Sequence, residues 1–193
     1  MKLYRIILVD DEEEVRKSII RKIKWEENGF LVAGDAENGE DALEKIELLE
    51  PDLILTDIRM PYMDGLTLAE RVRQKYPSMK IVIFSGYDDF EYAKQAIKLN
   101  VTEYILKPVN VEELTAILQK IKANLDQEIE QKRNVNLLRE NYIKSLPILR
   151  EQFLNELVNA PIAYETVQTR LKEYGISLSG AQKWVAAAVG IDR

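Results

Sequence analysis

The chain of 193 residues contains no cysteine and no histidine. The first absence excludes disulfide bonds and thiolate chemistry, and the two together exclude zinc sites of the usual kind. Any nucleophile must therefore be a carboxylate, a hydroxyl or a lysine. A bound metal must be a hard cation that oxygen atoms hold.

Long apolar stretches are also missing. The longest, WVAAAVGI at residues 184–191, is far shorter than the roughly 20 residues that span a bilayer. The amino terminus MKLYRIILV has a basic start and an apolar run, but DDEEE follows it and a small-residue cleavage site is lacking. We therefore expect a cytoplasmic protein with no signal peptide and no membrane contact.

The chain has no excess of basic residues. Residues 1–122 carry 18 basic and 24 acidic side chains, and residues 123–193 carry nine of each. Nucleic-acid-binding domains usually present a basic surface. We therefore do not expect this chain by itself to bind DNA well.

Five apolar runs rich in β-branched residues alternate with helical patterns. The runs lie at 4–9, 30–33, 53–56, 81–84 and 104–106. The helical patterns lie at about 12–24, 39–49, 64–75, 88–99 and from 110 onward, with Asp64, Asp88 and Asn110 as start signals. Continuous apolar runs suit strands that are covered on both faces. The strict alternation predicts a doubly wound α/β domain with a parallel sheet.

The last helical pattern is unusually long. Residues 109–146 contain neither glycine nor proline. A helix over 110–146 would be roughly 55 Å long, which is more than a domain of this size needs to cover its sheet. Leu114, Leu118, Ile121 and Leu125 follow a 4-3-4 spacing that suits first a core and then a short coiled-coil seam.

The pattern changes after Pro147. Apolar spacing there predicts a helix that ends near Pro161 and a second helix that ends at Gly175. The segment KWVAAAVGI at residues 183–191 is typical of a strand. We expect one complete domain at 1–122, a helical linker at 123–146 and a partial α+β segment at 147–193 that is too small to bury much core alone.

Polar residues follow four of the predicted strands. Asp10 and Asp11 follow the first, Asp57 the third, Ser85 the fourth and Lys107 the fifth. If the first and third strands are neighbours, the three carboxylates converge. Two carboxylates ~4 Å apart repel by about 4 kcal/mol at an effective dielectric of 20, so such a trio must raise a pKa or bind a cation.

One Mg²⁺ ion and one lysine would balance three carboxylates. Mg²⁺ prefers oxygen ligands, and Asp57 beside it and Lys107 would be placed to attack a phosphoryl group and form an aspartyl phosphate. Taken singly, Asp11 is also typical of an acidic first helical turn, Ser85 of a turn and Lys107 of a solvated loop. Their joint placement at one rim of the sheet favours a functional site.

Four segments resemble the receiver domain of bacterial two-component response regulators. They are LVDDE, TDIRMPYMDG, IFSGY and YILKPV, in this order, and the resemblance covers about residues 1–122. It implies a flavodoxin-like fold with strand order 2-1-3-4-5 and a phosphoacceptor domain. Such a protein is not an enzyme that acts on other substrates, because it catalyses only its own phosphorylation and dephosphorylation.

The resemblance also implies a metal site and a partner. Asp57 would accept a phosphoryl group from the phosphohistidine of a sensor histidine kinase. Asp11 and Asp57 would ligate Mg²⁺ directly, with the backbone carbonyl of Arg59 as a third ligand. Asp10 would hold a metal-bound water.

Three further roles follow from the same resemblance. Lys107 would pair with a phosphoryl oxygen, and Ser85 would donate its hydroxyl to another. The Lys107–Pro108 bond would be cis. Tyr104 would be the aromatic switch that moves inward after Ser85 is drawn to the phosphate.

The tail resembles the segment before the DNA-binding domain in regulators that carry AraC-type helix-turn-helix units. The segments QFLNELVNA and WVAAAVGID support that comparison. It implies a transcriptional regulator that forms a homodimer and contacts DNA only through a C-terminal domain absent from this chain.

Two other functions compete with this one. A Mg²⁺-dependent phosphohydrolase with an aspartyl nucleophile uses a similar metal, nucleophile and lysine, but it carries the nucleophile after the first strand with a second aspartate two residues on. Here the two aspartates, Asp10 and Asp11, are adjacent. An interaction module that is never phosphorylated is the third possibility, and the intact Asp57, Ser85 and Lys107 disfavour it.

Overall fold

The computed structural model describes residues 3–86 and 90–177. The strands are β1 (Tyr4–Val9), β2 (Phe30–Ala36), β3 (Leu53–Asp57), β4 (Lys80–Ser85) and β5 (Glu103–Leu106). The helices are α1 (Glu13–Lys22), α2 (Gly39–Leu49), α3 (Gly65–Lys75), α4 (Phe90–Lys98), α5 (Val111–Asn159) and α6 (Tyr164–Glu173). All five predicted strands are present, and β2 extends to Ala36. Among the described residues, every helix is too short or too polar to cross a membrane.

The strands form one parallel sheet with the order β2-β1-β3-β4-β5, as the family resemblance implied. β1 pairs with β3, so that Ile7 lies opposite Ile54 and Val9 opposite Thr56. This register places the carboxyl ends of β1 and β3 side by side at one edge of the sheet.

Each face of the sheet has its own buried apolar cluster. Ile7 and Ile54 belong to the cluster under α2, α3 and α4. Ile6 and Leu55 belong to the cluster under α1 and α5. Neighbouring residues of a strand point to opposite faces, so a strand buried on both faces must be apolar throughout.

Side chains cap two helices where the sequence indicated a start. The Asp64 carboxylate accepts a hydrogen bond from the Thr67 N–H at 2.7 Å, and the Asn110 side chain accepts one from the Glu112 N–H at 2.8 Å. The predicted start at Asp88 and the predicted strand at 183–191 lie outside the described residues.

The chain divides into two compact units, residues 1–128 and residues 129–193. The first unit includes the start of α5. Leu114, Leu118, Ile121 and Leu125 are all buried in the cluster that α5 shares with α1 and the sheet. The core interpretation of their spacing is therefore confirmed. The same four side chains cannot also form a coiled-coil seam, because they already face the sheet.

The prediction of a separate helix after Pro147 is wrong, because α5 continues through this residue to Asn159. A proline inside a helix removes one backbone hydrogen bond and usually kinks or ends the helix. Here contacts hold the helix on both sides of it. The Tyr142 hydroxyl donates to the Glu173 carbonyl at 3.0 Å, and Arg150 Nε donates to the Tyr174 carbonyl at 2.7 Å.

The second unit has a small apolar centre between α5 and α6. Phe153 is 1% exposed and Leu171 is 7% exposed. The Tyr174 ring meets the Phe153 ring edge-on at 5.6 Å, and the Arg170 guanidinium lies 5.8 Å from the centre of the Phe153 ring. These few contacts account for the pairing of the two helices.

Candidate functional site

The polar residues predicted at the strand ends meet at one edge of the sheet. Oxygen atoms of Asp10, Asp11 and Asp57 all lie within 4.8 Å of one another. Asp10 and Asp57 are 2% and 8% exposed, whereas Asp11 is exposed to solvent. The strand order brings this about, because β1 and β3 are adjacent and both end here.

The Lys107 ammonium bridges two of these carboxylates. Its Nζ donates to Oδ2 of Asp10 at 2.8 Å and to Oδ2 of Asp57 at 2.9 Å. Lys107 directly follows the strand β5, and its N–H donates to the Ser85 carbonyl at 2.7 Å. The Lys107–Pro108 bond is cis, as the family resemblance implied.

Burial and the neighbouring charges shift two pKa values in this site. Burial raises the pKa of Asp57, the neighbouring Asp10 carboxylate adds to the rise, and the hydrogen bonds from Lys107 and the Ile58 N–H oppose it without cancelling it. Burial lowers the pKa of Lys107, but its hydrogen bonds with Asp10 and Asp57 outweigh burial and leave that pKa raised. Lys107 is therefore charged at neutral pH. The Asp57 carboxylate is held at an electrostatic cost that a bound cation would lower.

The backbone around Asp57 is fixed by local contacts. The Ile58 N–H donates to Oδ1 of Asp57 at 2.8 Å, and the Thr56 hydroxyl donates to the Asp57 carbonyl at 2.9 Å. The Gly65 N–H then donates to the Ile58 carbonyl at 2.9 Å. A Cβ at residue 65 would lie only 1.9 Å from the Asp57 carbonyl oxygen, so this close approach requires glycine.

The remaining predicted residues lie around this centre. Ser85 is 2% exposed at the end of β4, next to the β3 strand that carries Asp57. Arg59 is exposed, and its guanidinium lies 5.8 Å from the centre of the Tyr92 ring. The Tyr104 ring packs against the apolar cluster under α4, and its hydroxyl is buried with no hydrogen-bond partner among the described residues.

One residue that contacts the site was missed at the sequence level. Arg16 of α1 is 8% exposed and donates to the backbone carbonyl of Asp10. The available signal was its position on the helix, because residues 16, 19, 20 and 23 share one helical face and the other three are isoleucine. A charge on an otherwise apolar face normally has a buried partner.

The oxygen-only donor set fits Mg²⁺, which prefers carboxylates, backbone carbonyls and retained water.

The family model described as response regulator receiver domain matches residues 6–119. The chain belongs to the response regulator receiver family. The match covers β1 from Ile6 onward, the other four strands and every strand-end residue of the site. This receiver therefore shares the family's fold as well as its sequence pattern.

Relatives of this receiver include regulators from two bacteria. It is 37% identical over 158 residues to the uncharacterized transcriptional regulatory protein YesN of Bacillus subtilis, covering 81% of this chain and 42% of that protein. It is 29% identical over 197 residues to the transcriptional regulatory protein HptR of Staphylococcus aureus, covering 98% of this chain and 77% of that protein. The chain thus spans less than half of the Bacillus relative.

Solved receiver structures have the same fold. The REC domain of AraT, a response regulator from Geobacillus stearothermophilus, is 39% identical with a TM-score of 0.62, covering 65% of this chain and 98% of that one. A two component transcriptional regulator AraC from Clostridium phytofermentans is 35% identical with a TM-score of 0.60, covering 65% of this chain and 98% of that one.

Proposed function

We propose that this receiver accepts a phosphoryl group on Asp57 from the phosphohistidine of a sensor histidine kinase. The convergence of Asp10, Asp11 and Asp57 with the Lys107 ammonium supports this proposal most strongly. A buried nucleophile with a raised pKa, a fixed cation and neighbouring carboxylates is suited to phosphoryl transfer.

In the transfer, an oxygen of the Asp57 carboxylate attacks phosphorus, and the bond between phosphorus and the donor imidazole breaks. The electron pair of that bond stays with the nitrogen, which takes up one proton, and an acyl phosphate forms on Asp57. Lys107 pairs with one phosphoryl oxygen, and the Ser85 hydroxyl donates to another. When bound, Mg²⁺ supplies positive charge to the phosphoryl oxygens.

Asp11 and Asp57 would hold this ion directly, together with the backbone carbonyl of Arg59. Asp10 would hold it through a water molecule. The short distances among the three carboxylates and the exposure of Asp11 to solvent support this assignment. An ion here needs a path to water, because Mg²⁺ usually keeps several water ligands.

Phosphorylation would act as a switch by replacing the single negative charge of the Asp57 carboxylate with a phosphoryl group that carries roughly −2. Ser85 and Lys107 would move toward the phosphate, and Tyr104 would respond as the aromatic switch. The Tyr104 hydroxyl is buried and has no hydrogen-bond partner in the part of the chain that the structure describes. This supports the role, because a buried polar atom without a partner favours a state that supplies one. The surface formed by α4, β5 and α5 would change as a result.

The output would be transcriptional. The relatives YesN and HptR are named transcriptional regulatory proteins, and this chain covers 42% and 77% of them. We place DNA binding in a further domain and the phosphorylation switch in this chain. The full protein would act as a homodimer in the cytoplasm, and the receiver would have no substrate other than its own aspartate.

The deciding experiment is labelling with acetyl phosphate. Wild-type protein with Mg²⁺ should gain one phosphoryl group, detected by intact-mass spectrometry and removed by hydroxylamine, which cleaves acyl phosphates. Chelation of the metal and the substitution Asp57→Asn should each abolish the label. Because the chain contains no histidine, the label cannot reside on a phosphohistidine of its own.

Three outcomes would contradict the proposal. A label that survives Asp57→Asn would place the acceptor elsewhere. Steady release of phosphate from small phosphate esters, far beyond one equivalent, would favour an aspartyl phosphohydrolase. Failure to label under any condition, together with no uptake from a phosphorylated sensor kinase, would favour an interaction module.

We further propose that the change at the surface formed by α4, β5 and α5 favours dimer formation. This step has a separate test. Sedimentation of the protein should show a shift toward dimer when the phosphate mimic beryllofluoride and Mg²⁺ are added. The Asp57→Asn variant should show no shift. An unchanged oligomeric state in the wild type would remove dimerisation from the switch and leave phosphorylation itself standing.

A further inference from the structure

Arg16 lies in an unusual position for a helix arginine. It belongs to α1, which begins two residues after Asp11, and the Arg16 side chain is only 10% exposed. Arginine is almost never buried without a partner, since loss of its hydration must be offset by several hydrogen bonds. The partners of Arg16 therefore indicate what it does.

The guanidinium joins two strand ends. Its Nε donates to Oδ2 of Asp35, near the end of β2, at 2.7 Å. One terminal nitrogen donates to the backbone carbonyl of Asp10, at the end of β1, at 2.5 Å. The planar guanidinium presents several donors in a fixed geometry, so these two bonds fix the Asp10 carbonyl relative to β2.

Asp10 is thereby held from several directions. Its N–H donates to the Ala36 carbonyl at 3.1 Å, and its carboxylate accepts from the Glu12 N–H at 2.9 Å and from Lys107 at 2.8 Å. Arg16 holds the remaining backbone group of the residue. The turn from β1 into α1, which carries both Asp10 and Asp11, is consequently fixed at its first residue.

We propose that Arg16 is a positioning residue for the metal site. By fixing the Asp10 carbonyl, it presets the Asp10–Asp11 turn, so that both carboxylates face Asp57 before an ion binds. The inference rests on the proposed Mg²⁺ site. Outer groups that orient metal ligands typically change metal affinity 10–100-fold when they are mutated.

Charge alone does not account for this role. Asp35 neutralises Arg16 through a close ion pair, so the pair adds no net charge to the acidic cluster. An effect of Arg16 on the metal would therefore act through geometry. Asp35 is 47% exposed in its side chain, so its charge is also partly screened by water.

The test is direct titration of the unphosphorylated protein with Mg²⁺ by calorimetry, at a temperature where all variants are folded. Arg16→Met should weaken Mg²⁺ binding at least tenfold. Arg16→Lys should fall between Arg16→Met and the wild type, because one ammonium can reach only part of the same acceptor set. Lys17→Met is the matched control, since Lys17 is exposed and pairs with Glu13 on the same helix.

Hydrogen exchange of the metal-free proteins gives a second measurement. Exchange at the amides of residues 10–12 should rise in Arg16→Met and stay unchanged in Lys17→Met. If Arg16→Met does not fold, Asp35→Asn serves instead. It keeps the bond to the Asp10 carbonyl but weakens the bond that anchors the guanidinium to β2. It should therefore weaken Mg²⁺ binding by a smaller factor and raise the same exchange rates.

The outcomes separate this inference from the proposed function. Wild-type affinity for Mg²⁺ in Arg16→Met, or in Asp35→Asn where that variant replaces it, overturns the positioning role and leaves the phosphoacceptor site intact. A lowered melting temperature with unchanged Mg²⁺ affinity shows that Arg16 only stabilises the fold. If wild-type protein neither binds Mg²⁺ nor becomes labelled on Asp57, the proposed function fails and the inference fails with it.

Discussion

Lys107 Nζ lies 2.9 Å from Oδ2 of Asp57, although 50 residues separate the two in the chain. The contact exists because β3 and β5 flank β4 and all three strands run in the same direction. Asp57 ends β3, and Lys107 directly follows β5. The same ammonium also lies 2.8 Å from Oδ2 of Asp10, so one cation pairs with two carboxylates.

This sharing predicts the effect of Lys107→Met. Removing the ammonium leaves Asp10 and Asp57 buried without their common partner, so the free energy of unfolding of the metal-free protein should fall by about 2 kcal/mol. Mg²⁺ should restore more stability to this variant than to the wild type, since the ion takes over the neutralisation. Labelling by acetyl phosphate should nevertheless drop at least tenfold, because the lysine's contact with the phosphoryl oxygen is lost.

Urea unfolding with and without Mg²⁺ measures this effect, and Lys120→Met is the control. Lys120 pairs with Glu103 but is 66% exposed, so its removal should change the free energy of unfolding by less than about 0.5 kcal/mol. Equal losses in the two variants would show that Lys107 is an ordinary surface charge.

The raised pKa of Asp57 predicts a dependence of stability on pH. A group whose folded-state pKa exceeds its unfolded value stabilises the fold below the unfolded pKa and loses that contribution as pH rises through the folded pKa. The charged Asp57 carboxylate therefore lowers the free energy of unfolding of the metal-free protein at neutral pH. Asp57→Asn should raise the melting temperature at pH 7 by a few degrees, and the difference should shrink as the pH is lowered through the acid range.

Differential scanning calorimetry across the acid range measures this difference. Saturating Mg²⁺ should reverse the order of stability at pH 7, because the wild type keeps its ligand and Asp57→Asn does not. A metal-free Asp57→Asn variant that melts below the wild type at neutral pH would mean that the Lys107 contact outweighs burial.

Gly65 should be intolerant of any side chain. A Cβ at this position would meet the Asp57 carbonyl oxygen at 1.9 Å, and that backbone cannot move without shifting the acceptor. Gly65→Ala should lower the free energy of unfolding by about 3 kcal/mol or more and abolish labelling. Gly86→Ala is the matched control, because a Cβ there has nothing within 4 Å, and its stability should match the wild type.

Sequence patterns identified most of this fold for a physical reason. The strands are buried on both faces and must be continuously apolar, so a polar residue at a strand end interrupts the pattern. Asp10, Asp57, Ser85 and Lys107 stand out on that basis alone. Their meeting depends on strand order, which the apolar pattern does not encode and which the family resemblance supplied.

Other features depend on single long-range contacts, which leave no periodic signal. Arg16 contacts a backbone carbonyl, and any residue at position 10 would offer the same acceptor. Pro147 is a strong local signal for a helix end, yet the contacts of Tyr142 and Arg150 with the end of α6 hold both sides of it. Local preference therefore yields to packing at this position.

Buried side chains of α5 indicate where the receiver ends. The family match stops at residue 119, but Ile121 and Leu125 beyond it are 0% and 7% exposed. The Tyr4 hydroxyl donates to Oδ1 of Asp126 at 2.6 Å, and burial together with this contact raises the pKa of Tyr4, so it stays protonated as a donor. Ile121 and Leu125 thus belong to the core of the first unit, which extends to Glu128.

A chain cut after residue 128 should therefore be more stable than one cut after residue 119 by roughly 4 kcal/mol, since each lost core side chain contributes about 1.5–3 kcal/mol. Urea unfolding of the two shortened chains measures this difference. In the full chain, Leu125→Ala should cost about 3 kcal/mol. Ile129→Ala, one helical turn further at a position 47% exposed, should change stability by less than about 0.5 kcal/mol. Equal stability of the two shortened chains would place the end of the receiver before Ile121.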